Sequence, residues 1–348
     1  MNLEDEITIA RNSINTDRLD MSFGEIINMF ERGEIIIDPE FQRLFRWSAD
    51  QQTRFIESLL LGIPIPPIFV AEDRDGKWEV VDGLQRVSTV LSFYGVLKVT
   101  PEKNFWQLSE GDLIKSLEGL NYSKLPLKFQ LNIKRAVCRV EIIKWNSKFD
   151  MRYELFNRLN TGGSPLTDQE IRNCIFRGIS NEFNNLLKRI ANEEVFVALI
   201  EPTEKQLAEL YLEELVLRFF SLFHNWKNVK SVISRHMTDF MRDVVTNNRI
   251  DHSLETLFLR IIKMLRPLGT EIFRFKNGIF STSLFDAITI GMGLRIDYYE
   301  KANLEDIRTI INKLKGDELF RKYTGAASNS STRVVKRIER AIQILKEK

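Results

Sequence analysis

Three short stretches of this sequence carry side chains suited to gripping an anion. The first is WEVVDGLQRVSTVLSFYG, residues 78–95, where an apolar strand gives way to an apolar helix through Asp82, Gly83, Gln85 and Arg86. Glycine permits a tight reversal and a close backbone approach to a ligand. The helix that follows offers unpaired N–H groups and a partial positive charge, both favourable to phosphate. Arg86 in its first turn adds a planar fork of donors, and Ser88 and Thr89 add hydroxyls. Gln85 can orient a water or a base edge, and Asp82 can hold Mg2+, a ribose hydroxyl or Arg86 itself. The same residues admit a purely architectural explanation, an Asp82–Arg86 pair that only fixes the turn.

The second stretch, DPEFQRLFRW at 38–47, again sets Gln and Arg together, as Gln42 and Arg43, between a short strand and a helix N-terminus. Two such dipeptides at two strand-to-helix passages can converge on one polyanion. The third, FNRLNTGGSPLTDQEIR at 156–172, holds Gly162 and Gly163, whose successive N–H groups can form an anion-binding nest. Asn157, Arg158 and Asn160 surround it with donors, although a plain helix–loop–helix with a glycine stop accounts for it too.

These residues must be positioned by a small α/β unit. SFGEIINMFERG reads as a helix capped by Ser22 and stopped at Gly33, and SADQQTRFIESLLLG repeats the device with Ser48, Gln51 and Gly62. EIIID is a brief strand. IPIPPIFVAEDRDGKWEVVD predicts two strands joined by a turn at Arg74-Asp75-Gly76, with prolines 64, 66 and 67 confining the entry to the first. After a loop-rich connection, KRAVCRVEIIKW alternates as a further strand with Ala136, Cys138, Val140 and Ile142 on one face. From about Asn181 the pattern is helix after helix, including one over 204–223 and one over 284–301, with no fixed repeat period. The expected fold class is therefore α+β: an α/β domain over 1–178, then an all-α domain over 179–348.

Composition bounds the function. The 348 residues are 43% hydrophobic and 28% charged, and no run approaches eighteen consecutive apolar residues, so a soluble, cytoplasmic protein without membrane contact is expected. Cys138 and Cys174 stand apart from each other and from every histidine, which leaves no disulfide framework, zinc site or haem attachment to draw. His224, His236 and His252 all fall in helical patterns. There is no Walker A sequence, so a nucleotide must be held by other means.

The net charge is +2, but 321–348 carries eight Lys or Arg against two Glu. Arg333, Lys336, Arg337 and Arg340 follow i, i+3, i+4, i+7 spacing and make a basic stripe beside an apolar one of Val334, Ile338, Ile342 and Leu345. That stripe is a candidate phosphate or nucleic-acid contact, or else a solvated helix face.

The ordered set PEFQR, SLLLGIPIPPIFV, WEVVDGLQR, RLNTGG and PLTDQEIRN resembles the N-terminal domain of GmrSD-type restriction systems over residues 20–178. The α/β part is similar, more distantly, to the ParB and sulfiredoxin fold. That resemblance implies a nucleotide-binding, NTP-hydrolysing module of prokaryotic antiviral defence that acts on or senses foreign DNA, with GTP or another NTP and Mg2+ as cofactors. It implies that Asp82, Gly83, Gln85 and Arg86 form the signature site, completed by Gln42, Arg43, Asn160, Thr161, Gly162 and Gly163. Leu84 stands where the family usually has a first Gln, so one hydrogen-bonding side chain is lost. The family's HNH nuclease is not expected here, because no paired histidine constellation exists; a separate nuclease subunit is then an expected partner. Sulfiredoxin chemistry is excluded too, because no cysteine flanks the turn. The competing expectation is a non-catalytic DNA- or partner-binding module in which nucleotide is a switch or absent. A nuclease within this chain is the weakest of the three.

Overall fold

The computed structural model describes residues 2–37, 47–98, 100–145, 147, 153–156, 158, 166–177, 179–325 and 327–346. The chain divides into two compact units, Met1–Thr167 and Asp168–Lys348.

The first unit is built on a five-stranded mixed sheet. Its elements are α1 (Leu3–Arg11), β1 (Thr16–Ser22), α2 (Phe23–Arg32), β2 (Ile35–Ile36), α3 (Ala49–Leu61), β3 (Ile68–Glu72), β4 (Trp78–Asp82), α4 (Leu84–Tyr94), α5 (Leu127–Arg135) and β5 (Val137–Ile143). The strand order is β1-β5-β3-β4-β2. β1–β5 and β3–β4 are antiparallel, while β3–β5 and β4–β2 are parallel.

Local signals explain most of these elements. Ser22 accepts from the Glu25 N–H to start α2, which ends at Gly33 with φ 75°. Ser48 and Gln51 close a reciprocal capping box on α3, which ends at Gly62. In the β3–β4 hairpin the Asp73 carboxylate accepts from the N–H groups of Asp75 and Lys77. α2 buries Phe23, Ile26, Ile27 and Phe30, and α4 buries Val87, Val90, Leu91 and Phe93, among the strand residues Ile68, Val70, Val80 and Val140. Phe23 meets Phe55 of α3 edge to face at 6.2 Å. A buried carboxylate, Glu57, accepts from the N–H groups of Leu113 at 2.9 Å and Ile114 at 2.7 Å and so pins the long connection between α4 and α5. The expected loop there contains α5 and short 3-10 turns.

Besides α5, two elements of this unit have no counterpart in the sequence, α1 and β1. β1 (TDRLDMS) is an edge strand whose first five residues are exposed, so it lacks the apolar alternation that marks a strand. It is held by the ladder to β5 and by the cross-strand pair Asp20–Arg139, whose hydrogen bond holds the Asp20 carboxyl below its usual range.

The second unit is all helical: α6 (Asp168–Arg177), α7 (Glu182–Ala191), α8 (Glu194–Ile200), α9 (Glu204–Ala208), α10 (Tyr211–Asn225), α11 (Ile233–Asn247), α12 (His252–Leu265), α13 (Thr282–Gly293), α14 (Ile296–Tyr299), α15 (Leu304–Gly316), α16 (Glu318–Lys322) and α17 (Ser331–Lys346). The single helix expected over 204–223 is two, because Leu210 takes a left-handed φ of 56° between α9 and α10. The one expected over 284–301 breaks after Gly293, where an added Cβ would meet Phe223 and Ile261. His236 lies in α11 with its ring against the Ser221 carbonyl, and burial lowers its pKa.

The centre of this unit is ionic. Arg218 of α10 donates from Nε and Nη2 to the two oxygens of Asp286 on α13, at 2.6 and 2.8 Å. Arg337 of α17 donates from Nη2 to Asp286 Oδ2 at 2.5 Å and from Nη1 to the Ser328 carbonyl. All three side chains are almost fully buried.

Asp286→Ala strands two buried guanidinium groups, so it is expected to lower stability by about 3–5 kcal/mol, measured by urea denaturation. A pH dependence is expected at α16–α17, where the Arg340 fork, assisted by the Phe320 N–H, holds the Asp317 carboxyl below its ordinary range against the opposing push of burial. Its contribution is complete above the ordinary carboxylate value of 3.8 and is lost as pH falls through the lower folded value. The stability gap between wild type and Asp317→Asn should therefore close on acidification through that window.

Candidate functional site

The site is assembled at the end of β4. β3 and β4 pair antiparallel, so the end of β4 meets the start of β3, and the register shifts between Phe69 and Val70. At Gly83 the chain turns with φ 90°, and α4 begins at Leu84 with no side-chain cap. The first-turn N–H groups of Leu84, Gln85 and Arg86 precede the first intrahelical bond, Val87 N–H to the Gly83 carbonyl. Glycine is required twice over: a Cβ there would lie 2.5 Å from Ile68 Cγ2 and 3.0 Å from Arg86 Nη2, and the φ is left-handed.

Arg86 reaches back over this turn. Its Nη2 donates to Asp82 Oδ2 at 2.8 Å and its Nη1 to the Pro66 carbonyl at 2.6 Å. The guanidinium side chain is 11% exposed and the Asp82 side chain 29% exposed. One arginine thus ties the end of β4, the entry to β3 and the first turn of α4. Pro66 precedes another proline, which holds it extended and leaves its carbonyl to this contact. The architectural pair weighed from the sequence is present, with a second acceptor that sequence spacing does not reveal.

Gln85 has a partner that links the first stretch to the second. Its Oε1 accepts from the Trp47 N–H at 3.2 Å, immediately before the Ser48 cap of α3. Trp47 also packs on Phe55 at 5.6 Å. On the other side, β2 runs parallel to β4, with Ile35 beside Trp78 and Ile36 beside Glu79, so the chain leaves β2 toward the Asp82 end of β4. The Trp47 flank of 38–46 is therefore secured at the Asp82–Arg86 turn, while the β2 flank is held beside Glu79, three residues before Asp82. Gln42 and Arg43 themselves lie outside the described residues.

Ser88 and Thr89 occupy the second turn of α4 and are buried, 3% and 0% exposed, with unpartnered hydroxyls. Beside the turn, burial raises the Cys138 thiol pKa, with the Ile68 backbone bond and the Arg86 charge pulling the other way. Cys138 is thus a neutral core thiol. Among the described residues, no group of three or more His, Cys, Asp or Glu side chains converges to hold a metal ion.

Of the third stretch, Asn160, Thr161, Gly162 and Gly163 lie outside the described residues, as does Asn157. Arg158 is exposed, with Glu154 at 3.9 Å. The continuation of that stretch into α6 is unusual for a helix: Gln169, Glu170, Arg172 and Asn173 are all buried. Gln169 donates to Asn173 at 2.9 Å, Asn173 to Glu213 at 2.7 Å, and Arg172 stands 3.6 Å from Glu214. The spacing of PLTDQEIRN gives no sign of this polar network, whose partners Glu213 and Glu214 come from α10.

The C-terminal stripe corrects an expectation. Arg337 does not lie on a solvated basic face; it is buried on Asp286, because it shares a face with Val334, Ile338, Ala341 and Ile344. Arg340 forks onto Asp317, Arg333 donates to the Lys322 carbonyl at 3.0 Å, and Lys336 lies 5.7 Å from the Tyr323 ring centre. These side chains fasten α17 to its own unit.

Residues 23–177 match the GmrSD restriction endonuclease N-terminal domain. This segment is a GmrSD-type N-terminal domain. No curated protein and no solved structure matches the chain. The GmrSD-type match runs from the first residue of α2 to the last of α6 and contains all three stretches, which connects them with DNA restriction systems. Among the described residues, no helix is long and apolar enough to cross a membrane.

Gly83→Ala places a Cβ against Ile68 at a left-handed φ. It is expected to cost about 1–3 kcal/mol and to detach Arg86 from Asp82. Thermal unfolding checks the first effect, and a Gly83→Ala crystal structure the second.

Proposed function

We propose that the GmrSD-type domain binds and hydrolyses a nucleoside triphosphate, GTP or another NTP, as part of a prokaryotic antiviral restriction system. The observation that carries this reading is the junction of an uncapped helix N-terminus, an arginine fork and a secured flanking segment at one turn. The first-turn N–H groups of Leu84 and Arg86, which precede the first intrahelical bond of a helix with no side-chain cap, are donors for phosphate oxygens. Arg86 supplies charge held in place by Asp82 and Pro66, and Gln42 and Arg43 belong to the segment that runs from the β2 end beside Glu79 to Trp47, which is bonded to Gln85 of this turn.

Asp82, still partly exposed, suits an Mg2+ ion that arrives with the nucleotide. Mg2+ is commonly held by one or two carboxylates together with substrate phosphates, and when bound it neutralises phosphate charge. No further carboxylate cluster is needed for that role. Within this reading, Arg86 orients the phosphates, and Gln85 couples their position to Trp47 and the start of α3. Asn160, Thr161, Gly162 and Gly163, with Arg158 close to them in the sequence, are the remaining phosphate-binding candidates; the Ser88 and Thr89 hydroxyls are buried and not open to a phosphate.

One observation favours a second reading, a nucleotide-switched module that binds DNA or a separate nuclease subunit without turnover. Gln85, the candidate for orienting an attacking water, already holds the Trp47 backbone. A nucleotide that displaced this bond would move the 38–46 flank and so report its presence to a partner.

The purified chain is titrated with Mg·GTP and Mg·ATP by calorimetry, and phosphate release is followed in parallel. Arg86→Lys keeps the charge but not the fork, and is expected to weaken binding by about 10- to 100-fold, as losing a hydrogen bond to a charged group costs about 1.5–3 kcal/mol. Turnover that disappears in Asp82→Asn and Gln85→Ala supports hydrolysis. Binding without phosphate release favours the switch, and no binding of either nucleotide removes both.

A further inference from the structure

The first unit carries two apolar surfaces that its own fold does not pair. One is α1, which buries none of its residues. Leu3, Ile7 and Ala10 lie on one stripe at i, i+4, i+7, with Leu3 73% and Ile7 43% exposed, and Glu4 and Glu6 flank that stripe. A nine-residue helix is marginal in water without a packed face, and the local support here is the Asn2–Asp5 capping box.

The other surface is a groove of about 450 Å³ lined by the C-terminal end of α3, the segment leading to β3, and the junction of α5 with β5. Leu61, Ile63 and Val137 line it and are 44%, 46% and 62% exposed. Its charged lining residue is Arg135, and the exposed Lys128 shares the α5 face of Asn132 and Arg135.

The two surfaces sit at opposite ends of the β1–β5 ladder. Thr16, which follows α1, pairs with Ile143, while Val137 of the groove pairs with Ser22. The linker is fixed at the Ile143 end: Asn15 N–H donates to Ser147 Oγ at 2.9 Å, and Lys144 N–H donates to the Asn15 carbonyl at 2.9 Å. Seven paired residues separate α1 from the groove, a span of about 20 Å, so α1 does not cover its own groove.

We propose that α1 of one copy of this chain seats in the groove of a second copy. Leu3 and Ile7 meet Leu61, Ile63 and Val137, while one acidic flank of the stripe, Glu4 or Glu6, faces Arg135 and Lys128 on α5. Opposite charge on the two rims selects this pairing over an uncharged apolar partner. Reciprocal exchange closes a two-fold dimer in which each helix completes the other copy's surface. The inference is independent of nucleotide chemistry.

Sedimentation velocity on the full chain at micromolar concentration is expected to give a dimer. Ile7→Asp and Val137→Asp change exposed positions, and circular dichroism confirms that each variant remains folded. Each is expected to raise the dimer dissociation constant about 100-fold, the effect of charging a central anchor. Arg135→Glu with Lys128→Glu should weaken the dimer, and adding Glu4→Lys with Glu6→Lys to the same chain should restore it. A monomeric wild type, a dimer unmoved by either aspartate, or charge reversal without rescue overturns the proposal.

Discussion

The first unit depends on one arginine. Arg86 is the point at which the β4 end, the β3 entry and the α4 start are joined, through Asp82 and the Pro66 carbonyl. A guanidinium suits this task because its planar fork holds two acceptors at fixed angles, which an ammonium cannot do. Gly83 allows the fork to close by removing the Cβ that would otherwise stand between Ile68 and Arg86. The turn is therefore pre-set, with its guanidinium already oriented by Asp82 and the Pro66 carbonyl. Pre-organised donors of that kind bind phosphate without reordering.

The second unit solves a different problem with similar chemistry. Three helices, α10, α13 and α17, meet at Asp286 through two arginines. Burying two positive charges on one carboxylate is costly, and the Asn329 carboxamide and the Ser328 carbonyl offset part of that by accepting from the two guanidinium groups. Such a cluster is intolerant of a missing partner, which fixes the last helix in one place. Within the basic C-terminal segment, Arg337 and its neighbour Arg340, which forks onto Asp317, are thus internal architecture.

The sequence made some of this legible and hid the rest for identifiable reasons. Ser22, Ser48, Gly33 and Gly62 marked the ends of α2 and α3 because capping and left-handed termini are local chemistry. The Asp-Gly turn and the alternation around Cys138 and Val140 marked three strands of the sheet for the same reason. β1 was hidden because an exposed edge strand shows no apolar alternation. Arg337 was misassigned to a basic stripe although it lies three residues after Val334 and four before Ala341, inside the apolar face; charge was given more weight than position. At the site, Asp82, Gly83, Gln85 and Arg86 were recognisable from residue type and junction. Their partners, Pro66 and Trp47, are backbone groups brought in by tertiary structure, and backbone groups carry no sequence signal.

The central claim is that the Gly83–Arg86 turn and the segment flanked by Ile37 and Trp47 form one nucleotide site. Hydrogen–deuterium exchange of the full chain with and without saturating Mg·GTP or Mg·ATP tests it most directly. The account predicts slowed exchange in peptides covering 38–47 and 83–89 together. Protection confined to the helical unit, or slowing of one segment without the other, would contradict it.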